Sequence, residues 1–170
     1  MRYARIENGV IDSISFEHQD NPWVAVADGV FAGYVQNNDG TFSAPVVAPE
    51  PVLSGQVNAE RDKRIALGFN YGPHRFDFDT ASKSRITGAA TLAGFAMGAG
   101  AQAGNFLWHG GTDPFTWILQ DNTTLQIDAP TMFQIGQVAA NWEASHITAA
   151  RAIKDADPIP ADYTDDAYWP

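Results

Sequence analysis

Residues that could carry out chemistry are few in this chain, and the best group of them surrounds one histidine. Trp108 and His109 precede two glycines, and Asp113 and Trp117 follow closely. An aromatic ring beside an imidazole that titrates near neutral pH could line a binding pocket. A Gly-Gly pair next to Asp-Pro is equally typical of an ordinary turn that leaves a histidine exposed. Both interpretations of this segment stay open.

Glycoside cleavage is a reaction against which the carboxylates of this chain can be tested. It needs two carboxylates roughly 5–10 Å apart across a cleft lined by aromatic rings. Asp113, Asp121 and Asp128 lie near Trp108 and Trp117 in the sequence. However, Asp121 has the context of a hairpin turn and Asp128 that of a helix N-cap, and both roles are complete without catalysis. We therefore predict no catalytic residues.

The sequence predicts neither a metal site nor a cofactor site. The chain has no cysteine, and its histidines lack the spacing of a helical zinc-binding pair. The glycines of residues 98–104 follow a predicted helix instead of opening one, unlike those of a phosphate-binding loop. On the last predicted helix, His146 shares an apolar face with Trp142, which favours a buried core or interface histidine. The four histidines are His18, His74, His109 and His146.

The charge balance narrows the possible partners. Twenty acidic and ten basic residues among 170 give a formal charge of −10. Because nucleic acids and anionic membranes both attract clustered Lys and Arg, we predict neither as a partner. An acidic surface would instead complement a basic patch on another protein. The N-terminal residues lack the apolar core of a signal peptide, and glycines interrupt residues 86–103, unlike a membrane-spanning helix.

Residues 1–44 predict a small antiparallel β-module. Asn8-Gly9 separates two apolar segments, which is a strong hairpin signal because both residues tolerate positive φ. A third strand is expected at Trp23-Val24, and residues 37–40 predict a second turn. Three prolines within residues 45–55 then predict an extended, semi-rigid linker.

Residues 56–156 predict three helices with short β-hairpins, which makes the whole chain an α+β protein. Ser54 is expected to cap the first helix and Asp79 or Thr80 the second, whose many small residues indicate close helix packing. Asp128 is expected to open the third helix. The predicted helices cover about residues 56–67, 81–99 and 130–156, and the predicted hairpin turns are Gly72-Pro73 and Asp121-Asn122.

Residues 157–170 form an acidic segment that also carries aromatic rings. Four aspartates, three prolines and no basic residue are typical of a terminal tail more than of a folded element. Aromatic residues are nevertheless favoured at protein interfaces. Two interpretations stay open, a peptide that docks on a neighbouring subunit and a frayed terminus. The candidate interface residues of the chain are Trp142, His146, Tyr163, Tyr168 and Trp169.

Several short blocks occur in an order that resembles a known family. They include Asn58-Ala59-Glu60-Arg61-Asp62, Ile86-Thr87-Gly88-Ala89-Ala90 and Phe115-Thr116-Trp117-Ile118. Over about residues 56–156 the chain resembles a domain of unknown function found in the C-terminal half of many bacteriophage tail proteins. The front segment, with its Asn8-Gly9 hairpin, resembles a short β-module that often begins phage tail-associated proteins. The resemblance implies a phage tail setting and supplies no catalytic residue.

Three functions are consistent with this resemblance. The first is a structural component of the virion at the distal tail, baseplate or fibre attachment region, made in the host cytoplasm. It would dock with other tail, baseplate or fibre proteins, as a homo-oligomer or within a larger assembly. The second is a tail-fibre assembly chaperone that is absent from the mature particle. The third is a glycan-binding or glycan-cleaving module around Trp108, His109, Asp113 and Trp117.

Overall fold

Turn residues set the topology of the N-terminal part of the chain. The computed structural model describes residues 1–17, 20 and 22–170, so His18 lies outside the described residues. Asn8 and Gly9 adopt φ values of 53° and 79° between the first two strands, as expected for the predicted hairpin. One five-stranded antiparallel sheet results, in the order β3-β1-β2-β4-β5. Its strands are β1 (Arg2–Glu7), β2 (Val10–Ser15), β3 (Trp23–Val26), β4 (Val35–Gln36) and β5 (Phe42–Ser43).

The N-terminal sheet has a small core of its own. Ala4, Ile11 and Val26 are buried together on it. The chain divides into two units, Met1–Glu50 and Pro51–Pro170. The division therefore falls inside the proline-rich segment from which the sequence predicts a linker. The predicted α+β fold is confirmed.

The second unit consists of three helices with two hairpins between them. Both hairpins form at the predicted turns. Among the described residues, no helix is long and apolar enough to cross a membrane. The elements are α1 (Ser54–Ala66), β6 (Phe69–Tyr71), β7 (His74–Phe76), α2 (Thr80–Gly98), β8 (Thr116–Ile118), β9 (Thr124–Gln126) and α3 (Ala129–Lys154).

Two of the three predicted helix caps are confirmed and one is wrong. Asp79 accepts hydrogen bonds from the backbone N–H groups of α2, and Asp128 accepts one from the first turn of α3. Ser54 does not cap α1, because it is already the first helical residue. Instead, the Gln56 side chain accepts a hydrogen bond from the backbone N–H of Leu53 at 2.7 Å. A glutamine at the third helical position can satisfy an N-terminal N–H in this way.

The predicted close packing of α2 is confirmed by its contact with α3. A Cβ atom added to Gly136 on α3 would lie 2.3 Å from the Cβ of Ala90 on α2. Only glycine at position 136 therefore permits the two backbones to approach so closely. The main core is built around this contact, with Ile86, Met132 and Ile135 among its fully buried side chains.

The C-terminal segment is folded, in contrast to the terminal tail that its composition suggests. Trp169 is buried in a second core cluster with Val57 of α1 and with Ala150 and Ile153 of α3. A short 3-10 helix, Asp166–Tyr168, precedes this tryptophan. Burial of one large ring against two helices supplies the hydrophobic stabilisation that the segment's polar residues do not. Residues 157–170 consequently belong to the second unit.

Candidate functional site

The first candidate group pairs two rings on consecutive turns of α3. His146 is 1% exposed, and its Nδ1–H donates to the backbone oxygen of Trp142 at 2.8 Å, which fixes the proton on Nδ1. The two ring centroids are 4.2 Å apart. The Trp142 indole N–H donates to the backbone oxygen of Ile65 at 3.2 Å. His146 is thus the satisfied buried histidine that the sequence predicts, and Trp142 ties α3 to α1.

Trp169 is one of the candidate interface residues, and the docking interpretation places it on a neighbouring subunit. In the structure it packs within its own chain. Its ring lies against α1 and α3 of its own chain, and its indole N–H donates to the backbone oxygen of Tyr163 at 2.8 Å. The Arg64 guanidinium carbon lies 5.2 Å from its ring centroid, within the range of a cation–π contact. His146 stacks at 6.2 Å on the same ring. The docking of this segment is therefore intramolecular in the structure.

The two tyrosines of the C-terminal segment differ in exposure. Tyr163 is half-buried and packs on the cluster that holds Trp169. Tyr168 is among the exposed large side chains, and its hydroxyl donates to Asp162 Oδ1 at 3.2 Å. Loss of hydration and this hydrogen bond to a carboxylate both raise the pKa of Tyr168. Of the five candidate interface residues, Tyr168 has the highest exposed fraction.

The candidate pocket residues Trp108 and His109 pack into the domain. Trp108 is buried, and its indole N–H donates to the backbone oxygen of Ile127 at 2.8 Å. His109 is half-buried, with its ring centroid 5.3 Å from that of Phe115. A Cβ on Gly111 would lie 2.4 Å from His109 Nε2, so the glycine allows the chain to cover the imidazole. The expectation of an exposed histidine in this turn is therefore wrong.

Among the described residues, His109 Nδ1 is the buried side-chain nitrogen or oxygen that has no hydrogen-bond partner. Asp113 is exposed and is not among the residues that line the grooves described below. The structure therefore does not combine Trp108, His109, Asp113 and Trp117 in one pocket.

Trp117 lines a groove of about 480 Å³ with residues that are distant in the sequence. Asp77 and Arg85 line the same groove, as do Ser82, Thr116 and the exposed Ile118. A half-buried ring beside a guanidinium and a carboxylate offers an apolar face and both hydrogen-bonding polarities to a ligand. No sequence pattern predicts this set, because Asp77 and Arg85 come close to Trp117 only when α2 packs on the hairpins.

Two of the three carboxylates considered for glycoside cleavage have structural roles. Asp121 accepts hydrogen bonds from the hydroxyl and the N–H of Thr123 in its own turn, and these lower its pKa. Burial acts to raise the pKa of Asp128, but hydrogen bonds from Thr131 and from the N–H of Gly104 outweigh it, so that this pKa is also lowered. A general acid for glycoside cleavage needs a raised pKa. Neither residue fits that role.

No group of three or more His, Asp or Glu side chains in the described part of the chain could hold a metal ion.

An aromatic patch stands on the surface of the N-terminal unit. The Arg2 guanidinium carbon lies 5.1 Å from the ring centroid of Phe16 and 5.4 Å from that of Phe31. Although both rings contact Arg2, Phe16 remains 73% and Phe31 53% exposed. Arg2 is itself held by Asp28, at 3.5 Å, and by the backbone oxygen of Val30, at 3.3 Å. We call Arg2, Phe16 and Phe31 the β-module patch.

A second exposed apolar surface lies on the outer side of α2. Phe95 is 74% exposed and Leu92 is 45% exposed. Phe133 of α3 lies against Gly94 of α2 and borders a groove of about 310 Å³ between α2 and α3. The ion pair between Lys83 and Glu143 also lines this groove. The sequence signal for this surface is the lack of any charged residue from Ile86 to Gly98.

The comparisons with known proteins agree with the boundaries of the second unit. Residues 50–168 match the model of the family described as a domain of unknown function, DUF4376. Because the match covers more than half of the chain, the protein belongs to this family. The match includes most of the C-terminal segment, which the resemblance over residues 56–156 left out. No curated protein and no solved structure matches the chain.

Proposed function

We propose that this protein is a structural component of a tailed bacteriophage virion, at the distal tail, baseplate or fibre attachment region, and acts through protein–protein docking. The phage setting rests on the resemblance of the two halves of the sequence to phage tail proteins. The observation that carries the docking role is the β-module patch, in which Phe16 and Phe31 flank Arg2 at the surface.

The composition of the β-module patch suits a protein partner. Aromatic residues and arginine are enriched at protein interfaces. An aromatic ring buried against a partner is stabilised by the hydrophobic effect, and a ring exposed to solvent is not. Because Arg2 holds both rings in place, their side-chain entropy is already reduced before a partner arrives. The patch therefore offers apolar contact area at a low ordering cost.

The charge of the chain indicates the chemistry of the partner. A formal charge of −10 favours association with a basic surface and disfavours an acidic one. The partner surface is accordingly expected to combine an apolar pocket for Phe16 and Phe31 with surrounding Lys or Arg. The proline-containing segment that precedes the second unit would serve as a spacer between the two units.

The first test is the protein content of purified phage particles. Particles from the source phage are purified on a density gradient, and this chain is quantified by mass spectrometry against the major tail protein. A reproducible low copy number supports a virion component at the tail tip. Absence from particles, with abundant protein in infected cells, rejects it in favour of the tail-fibre assembly chaperone.

A second test connects incorporation to the β-module patch. The double variant Phe16→Ser/Phe31→Ser is expected to reduce the copy number in particles at least tenfold. Val46→Ser is the matched control, since Val46 is exposed and lies outside the patch. If the double variant is incorporated as efficiently as the control, the patch is not the docking surface.

Glycan binding is a second candidate function, favoured by the groove that contains Trp117, Asp77 and Arg85. Sugar rings stack on tryptophan faces, and a guanidinium and a carboxylate could bind their hydroxyls. Binding of host envelope polysaccharide, measured by calorimetry, should then weaken in Arg85→Gln and persist in Arg151→Gln and Asp113→Asn. No binding by the wild-type chain would reject this candidate.

A further inference from the structure

The outer side of α2 lacks the polar cover that a solvent-exposed helix normally has. Such a helix usually presents charged residues on the side opposite the core. From Ile86 to Gly98, α2 has no charged residue at all, and its outer side presents Phe95, at 74% exposure, and Leu92. Burial of these two side chains against another apolar surface would be stabilising.

The shape of this surface is complementary to itself. Gly88 and Phe95 lie seven positions apart, which is about two helical turns and puts them on one side of α2. A Cβ atom added to Gly88 would meet nothing within 4 Å, so the space outside this position is open and no side chain fills it. Phe95 protrudes from the same side of α2, about two turns farther along the helix. One helix thus carries both a protruding ring and a gap that could receive one.

We propose that two copies of this protein pair through the outer sides of their α2 helices, in antiparallel orientation. With the two-fold axis between Thr91 and Leu92, Phe95 of each copy lies opposite Gly88 of the other. Both contacts form at once, as an isologous interface requires. Close approach of the backbones at glycine would bury most of the exposed ring.

Electrostatics favours a second copy at this surface over other surfaces of the chain. Two chains with a formal charge of −10 each repel one another wherever acidic side chains meet. The charge-free side of α2 avoids that repulsion. In the antiparallel pair, Arg85 lies opposite Gly98 of the other copy, near the end of α2, where the last turn contains no basic residue. A cation is favourable at the C-terminal end of a helix dipole.

The size of the surface predicts a dimer that dissociates on dilution. A stable interface buries about 800 Å² per partner, whereas one face of a helix roughly 28 Å long offers on the order of 300 Å². Thr91, at the centre of the proposed contact, also lines the groove of about 310 Å³ between α2 and α3. We therefore expect a dissociation constant on the order of 1–100 µM.

The experiment is sedimentation equilibrium of the full chain from about 1 to 500 µM. The wild-type protein should approach twice its 18.4 kDa mass at the upper end. Phe95→Glu and Gly88→Phe should each raise the dissociation constant at least tenfold. Ile147→Glu is the matched control, because Ile147 on α3 has an exposure of 48%, close to that of Leu92, and it should dimerise like the wild type.

The double variant Gly88→Phe/Phe95→Gly gives the sharpest outcome. In an antiparallel pair centred between Thr91 and Leu92, it places each new ring opposite each new glycine and should restore dimerisation. Circular dichroism and thermal unfolding confirm that each variant is folded. A monomeric wild type at 500 µM, dimerisation unaffected by Phe95→Glu, or a folded double variant that stays monomeric would each overturn the proposal.

The dimer does not depend on the phage assignment. It is measured with purified chain alone, and the β-module patch is not changed in any of these variants. A monomeric chain found in particles would reject the dimer and keep the virion role. A chain that dimerises in solution but is absent from particles would keep the dimer and reject the virion role.

Discussion

Both α1 and α2 pack on α3, yet their outer sides differ in the partners that cover them. On α1, Glu60 accepts hydrogen bonds from Lys63 at 3.1 Å and from Arg64 at 2.8 Å. Arg64 also reaches the backbone oxygen of Thr164 at 2.7 Å and lies over the ring of Trp169. The outer side of α2 has no such partner in the described chain and presents Phe95 to solvent.

The difference shows where this chain has already covered its own surface. The aromatic residues that the sequence singles out as interface candidates are mostly used on the α1 side, where Trp169 closes a cluster with Val57 and Ile153. Apolar side chains that the chain itself leaves exposed are unfavourably hydrated unless another molecule covers them. Contact between molecules is therefore expected at α2 and at the β-module patch, and not at Trp142 or His146.

The largest expected effect on the free energy of unfolding comes from removing the Trp169 ring that covers α1. Trp169→Ala removes the ring that is 8% exposed against α1 and α3, and deletion of a buried tryptophan costs about 3–5 kcal/mol. We expect a loss of about 3 kcal/mol in the free energy of unfolding, measured by urea denaturation. Tyr168→Ala is the neighbouring control and should cost less than about 1 kcal/mol. Equal effects of the two would mean that the segment is not held by Trp169.

A smaller effect is expected at the contact between α3 and the inner side of α2. Gly136→Val should destabilise the domain by about 1–3 kcal/mol, because the new side chain overlaps Ala90. Gly88→Ala, on the outer side, should stabilise it by about 0.5–1 kcal/mol through higher helix propensity. Both free energies of unfolding are measured at a concentration well below the dissociation constant of the proposed dimer. Similar values for the two glycines would contradict the contrast between the tight and the open side of α2.

The smallest effect concerns the ion pairs on α1. Burial acts to raise the pKa of Glu60, but hydrogen bonds from Lys63 and Arg64 outweigh it, and the pKa in the folded chain is lowered. Since the unfolded pKa is about 4.3, the stabilisation is complete above that pH. It is lost as the pH falls through the lower folded value.

Glu60→Gln should therefore cost about 1 kcal/mol at pH 7 and progressively less towards pH 3. Urea denaturation between pH 3 and 7 measures this difference. Asp62→Asn is the control, because Asp62 is exposed and its ion pair is with its sequence neighbour Arg61. A pH dependence in Glu60→Gln that equals the wild type would show that Glu60 makes no net contribution to α1.

Local patterns predicted the elements well. The hairpin at Asn8-Gly9, the caps at Asp79 and Asp128 and the close approach of α2 to α3 all follow from interactions between residues near in sequence or from small side chains. The Ser54 cap prediction was wrong because α1 begins one residue earlier than expected, with Leu53 at the N-cap position and Ser54 already helical. The pocket at Trp108 failed because its ring is needed to fill the core beside Phe115.

What the sequence by itself determined is the order of elements, the acidic charge and the absence of cysteine chemistry, since these depend on residue type and short spacing. Only the tertiary structure decided which aromatic residues are free. Trp169 and Phe95 are equally apolar in the sequence, but one is covered by two helices and the other is not. Burial is a property of long-range packing, and so the surfaces available to a partner became visible only when the helices were in place.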